Sequence, residues 1–156
     1  MPAPRRPSSP RSPTLVGVDF SSAPGKRKPI TVATGRLRGN VLTLEDVEPL
    51  HDFNAFETLL NTPGRWLGAF DFPFGLPRAF VDALGLGCDI VAVTAELHRR
   101  CDTAEPGVSS TSPLQTRYVP VGFMFFEGVS RLLHAGVTLP QMHAGDPARA
   151  EIVRTL

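Results

Sequence analysis

The chain has 156 residues, of which 42% are hydrophobic, and a formal net charge of +1. This is enough apolar material for one domain with a core and too little chain for two ordinary ones. Near-neutrality excludes a global electrostatic attraction to nucleic acid or to a membrane surface, so any such contact has to come from a local patch.

Residues 1–13 are rich in Pro, Arg and Ser and contain no apolar h-region, which argues against a secretory signal. No apolar run reaches membrane-spanning length. Cys88 and Cys101 form neither a CxxC pair nor a cluster with histidine, so zinc and a disulfide framework are not indicated, and free thiols in a reducing compartment are expected. The expectation is a soluble cytoplasmic protein with a disordered basic tail over 1–13 and a single domain over 14–156.

Leu15-Val16-Gly17-Val18-Asp19-Phe20 is a short apolar, β-branched run ending near a carboxylate, and it predicts a first strand over 14–20. Ser21 to Pro29 reads as a loop with three consecutive cations, Lys26, Arg27 and Lys28. Ile30 to Arg38 and Val41 to Val47 flank Gly39-Asn40, two residues tolerant of positive φ, so they predict a hairpin. Asp52 is a good N-cap for a helix over 53–61, in which Phe53, Phe56, Leu59 and Leu60 share a face before Pro63-Gly64 stops it.

Trp66 to Asp71 drives an apolar run into a lone acid and predicts a fourth strand buried on both faces. It is reached from strand three through a helix, the usual route to a parallel neighbour. Pro73, Gly75 and Pro77 close it, and Pro77 suits the first turn of a helix running to Leu84. Asp89 caps a further helix through Ile90, Val93 and Leu97, and residues 102–118 read as an irregular loop. Val121 to His134 is the longest helical pattern, with Gly136 past its end; 138–147 is loop, and 150–156 could begin a fifth strand.

Asp19 and Asp71 each end an apolar strand. On adjacent parallel strands both would emerge at the C-terminal edge of the sheet, where α/β proteins bind ligands. Two hard oxygen donors there suit Mg²⁺ or Mn²⁺, which accept carboxylates while keeping waters that a phosphate can displace. A second ion would permit two-metal phosphodiester hydrolysis. Lys26, Arg27 and Lys28 are candidate phosphate contacts, as is Arg78 after the Asp71 loop; the alternatives are a solvated charge run and an exposed first-turn side chain. His51, His98, His134 and His143 are unclustered, and Glu127 could reach the site or face solvent.

The motifs Val16-Gly17-Val18-Asp19 and Asp71-Phe72-Pro73-Phe74-Gly75-Leu76-Pro77 resemble the two signatures of the domain of unknown function family 429, a group of predicted RNase H-like nucleases. Phe125 to Leu133 and His143 to Arg149 also resemble its C-terminal half, so the likeness spans roughly residues 14–150. The resemblance implies an α/β fold with an RNase H-like mixed sheet, antiparallel β1-β2-β3 followed by helix-connected parallel strands. It also implies Asp19 and Asp71 as the metal-binding acids, with nucleic acid as partner. The family follows its last segment with a strand ending in a Glu-x-Tyr-Pro motif. Residues 150–156 here contain no Tyr-Pro, and Glu151 stands near where that glutamate would align. The expectation is a C-terminally truncated member with Glu151 as a further candidate acid. Another class of reading is a nucleotide-phosphate binder of the actin and sugar-kinase superfamily, in which Asp19 is followed by the hydroxyl-bearing Ser21 and Ser22. A third is a scaffold that keeps the fold without the activity.

Overall fold

The computed structural model describes residues 12–146 apart from 77, 84, 86, 88, 94 and 96–120. The sequence pattern becomes strand β1 (Thr14–Asp19), strand β2 (Ile30–Arg38), strand β3 (Val41–Leu50), helix α1 (Phe53–Leu60), strand β4 (Trp66–Phe70), the short helix α2 (Arg78–Ala83) and helix α3 (Val121–His134). The strands form one mixed sheet in the order β3-β2-β1-β4, with β1 antiparallel to β2, β2 antiparallel to β3, and β1 parallel to β4. The chain is therefore α/β, its parallel pair joined through α1 as the connection rules require.

Alternation along the strands sends Val16, Val18, Ile30, Val32, Trp66 and Phe70 to one face, and all six are buried. Helices cover that face. In α1, capped by the Asp52 carboxylate accepting from the Ala55 N–H at 2.8 Å, Phe56 and Leu60 point inward. In α3 the inward residues are Phe125, Val129 and Leu132. Arg131 ties the two helices together: its guanidinium lies 3.1 Å from the Glu57 carboxylate of α1 and 2.5 Å from Glu127, and it stacks 3.6 Å from the Phe53 ring centroid.

The differences from the sequence reading have physical causes. Strand β3 runs on to Leu50 rather than stopping at Val47, because it is an edge strand and Pro49 costs it no ladder bond that a central strand would need. A register shift between Thr34 and Gly35 accommodates the extra length, and there a β-carbon on Gly35 would stand 2.6 Å from the Thr43 carbonyl oxygen, so only glycine fits. In the hairpin turn Gly39 adopts a positive φ of 60°. Strand β4 is buried on one face only: Leu67 is half-buried and Ala69 is exposed, since no described element covers the second face of the sheet. Asp89 does cap the residues that follow, accepting from the Val91 N–H at 2.8 Å. Residues 1–11 of the tail, the 102–118 loop and the proposed fifth strand lie outside the described residues. Among the described residues no helix is long and apolar enough to cross a membrane.

Candidate functional site

Val18-Asp19-Phe20 and Phe70-Asp71-Phe72 repeat one pattern on neighbouring parallel strands, and the ladder sets them level. Val18 pairs with Phe70, and the Asp71 N–H donates to the Val18 carbonyl at 2.9 Å, continuing the pairing one step past β4. Asp19 and Asp71 are thus lateral neighbours, with Cα atoms about 5 Å apart at the spacing of adjacent strands. The residues on either side of each acid, Val18, Phe20, Phe70 and Phe72, are buried, and both acids are exposed.

Aromatic packing holds the two strand exits together. The Phe20 and Phe72 rings meet edge to face with centroids 4.9 Å apart, and Phe72 also contacts Phe70 at 5.6 Å and stacks on Phe74 at 5.1 Å. Helix α3 closes over this cluster at Gly128, where a β-carbon would lie 2.8 Å from the Phe72 ring. Glycine is present because the helix backbone comes down onto the ring.

Among the described residues neither the Asp19 nor the Asp71 carboxylate takes part in a hydrogen bond or salt bridge. Two carboxylates on adjacent strand ends are a pair of donors that one cation can share. Their hard oxygens and open exposure fit a divalent ion that keeps most of its water. Two acids make the whole donor set: no group of three or more His, Cys, Asp or Glu able to hold a metal exists among the described residues.

The other candidates fall into different places. Lys26 and Arg27 form an exposed turn closed by the Gly25–Lys28 bridge, in the loop that leaves β1 beyond Asp19. Ser21 is buried, its hydroxyl accepting from the Ala23 N–H at 3.4 Å, and Ser22 is half-buried. Arg78 is exposed at the first residue of α2, on the chain leaving Asp71. Glu127 belongs to the Arg131 network, and Glu151 lies outside the described residues. Sequence reasoning missed the Phe20–Phe72 contact and the role of Gly128. A glycine inside the strongest helical pattern was the available signal, since it costs about 1 kcal/mol against alanine unless packing requires it.

Compared with protein-family models, with curated proteins and with solved structures, the chain returns no match.

Proposed function

We propose that this protein is a metal-dependent phosphodiester hydrolase of the RNase H-like kind resembling the domain of unknown function family 429, acting on nucleic acid or a nucleotide. The observation that carries the reading is the level, exposed, unpartnered pair Asp19 and Asp71 at the C-terminal ends of adjacent parallel strands. The strand order β3-β2-β1-β4, with three antiparallel strands and then a helix-connected parallel one, supports the RNase H-like assignment.

In this reading Asp19 and Asp71 would hold Mg²⁺ or Mn²⁺. The bound ion would polarise a phosphoryl oxygen and lower the pKa of a coordinated water. The chain's own residues do the rest: Phe20 and Phe72 fix the spacing of the acids, and Lys26, Arg27 and Arg78 position phosphate oxygens without reading sequence. The kinase-like alternative loses support from Ser21, whose burial and contact with the Ala23 N–H make it part of the loop rather than a phosphate ligand.

The test is cleavage of single-stranded and duplex DNA and RNA with Mg²⁺ or Mn²⁺. The proposal expects metal-dependent cleavage that Asp19→Asn and Asp71→Asn each reduce by about a hundredfold or more. A folded protein without turnover on any of these substrates, or turnover unchanged in both variants, would refute it.

A further inference from the structure

A cavity lies under the C-terminal end of α1, at the opposite end of the parallel strand pair from the two acids. Register sets Thr34, Val16 and Gly68 in one row across β2, β1 and β4, on the face that α1 covers. Gly68 adds no side chain to that row, because a β-carbon there would stand 2.6 Å from the Phe70 ring and 2.9 Å from the Trp66 ring. The two rings lean over it with centroids 6.5 Å apart and planes inclined by 64°. They wall a cavity of about 120 Å³ together with Val16 of β1 and Leu59 and Leu60 of α1.

Four of the walls, Val16, Leu60, Trp66 and Phe70, are buried, whereas Thr62, Pro63 and Arg65 between α1 and β4 are exposed, so the cavity opens there. The Thr62 hydroxyl donates back to the Thr58 carbonyl at 3.3 Å. Arg65 is the only charged residue among those that line the cavity, and among the described residues its guanidinium has no ion-pair partner. The mouth thus offers one cationic fork, the shape that a carboxylate accepts from.

We propose that this cavity binds a small monocarboxylate whose apolar part is one ring or a short branched chain, the apolar part between Trp66 and Phe70 and the carboxylate at Arg65. Size sets the upper limit, since an apolar cavity of ~150 Å³ takes benzene. The walls set the chemistry: they give water few hydrogen-bond partners, and two inclined aromatic rings suit the edge of a third. The cavity begins at Thr14, and strand rise puts it about 16 Å from Asp19 at the other end of β1, so the proposal is independent of the cation site.

Trp66 is the only tryptophan of the chain, so its fluorescence reports on the cavity wall directly. The test is titration of the full chain with cyclohexanecarboxylate, and with cyclohexylmethanol as its neutral counterpart. A saturable change in Trp66 emission is expected with the acid, at a dissociation constant of roughly 0.1–1 mM, and about fivefold weaker binding or less with the alcohol. Arg65→Met should weaken the acid about fivefold and bring it level with the alcohol. Leu59→Phe fills the cavity from α1 and should abolish the response; Thr34→Leu fills it from β2 and takes its place should Leu59→Phe fail to fold. The absence of a saturable response below about 10 mM acid overturns the proposal. So does a response that survives in a folded filling variant, an acid affinity that Arg65→Met leaves unchanged, or an alcohol that binds as tightly as the acid.

Discussion

Replacing Gly128 by alanine tests the packing that sets the two acids side by side. The new β-carbon would meet three Phe72 ring carbons at 2.8–2.9 Å, well inside the ~3.5–4.0 Å of an ordinary carbon contact. The ring has little room to swing, since Phe20, Phe70 and Phe74 bound it at 4.9, 5.6 and 5.1 Å. Overpacking of this kind costs about 1–3 kcal/mol, and alanine recovers about 1 kcal/mol of helix propensity. The net expectation is a loss of about 1 kcal/mol, or roughly 3 °C in melting temperature for a chain of this length. Thermal unfolding followed by circular dichroism measures it. A second variant separates the clash from a general helix effect: Phe72→Leu trims the ring, so the Gly128→Ala penalty should shrink or reverse in that background. The reasoning fails if Gly128→Ala raises the melting temperature, or if its effect is the same with Phe72→Leu present, because contacting residues are required to couple. The same variant should also weaken cation binding although it touches neither carboxylate, since Phe72 follows Asp71 directly.

Further outcomes follow from other contacts. Arg131→Met removes the guanidinium that bridges Glu57 and Glu127 over Phe53, and should cost about 1–3 kcal/mol in urea unfolding, with much of that from two acids left facing each other. Asp52→Ala deletes the carboxylate that caps α1 and should cost about 1 kcal/mol, while Asp52→Asn costs much less. Neutralising Lys26, Arg27 and Lys28 together should lower the steepness with which nucleic-acid affinity falls with salt and leave metal binding unchanged; an unaltered salt slope would remove the turn from the substrate path. Asp71→Asn should abolish the rise in melting temperature that Mn²⁺ gives the unmodified chain.

Local chemistry made much of this structure readable from the residues. The β2–β3 hairpin declares itself in two alternating runs about Gly39-Asn40, α1 in its Asp52 cap, and α3 in its apolar spacing ending before Gly136. The parts that sequence did not reveal depend on neighbours distant in the chain. Pro49 looks like the end of a strand until β3 is known to lie at the sheet edge. Trp66 to Asp71 looks buried on both faces until the second face is found bare at Ala69. For the site, each acid is visible at its strand end, and the reading of the two strands as parallel neighbours pairs them. What makes them level is the pairing of Val18 with Phe70 and the contact of Phe20 with Phe72, which no local pattern reports. The Arg131 bridge was hidden for the same reason, because Glu57 and Phe53 are remote from it in sequence.

The most direct measurement is a titration of the metal-free chain with Mn²⁺, followed by electron paramagnetic resonance of the free ion. The paired carboxylates predict binding that Mg²⁺ displaces and that Asp19→Asn and Asp71→Asn each weaken by at least about tenfold, since either change removes one of two hard donors. Binding that survives undiminished in the double variant, or no binding by the folded chain at millimolar Mn²⁺, would contradict a cation site at Asp19 and Asp71.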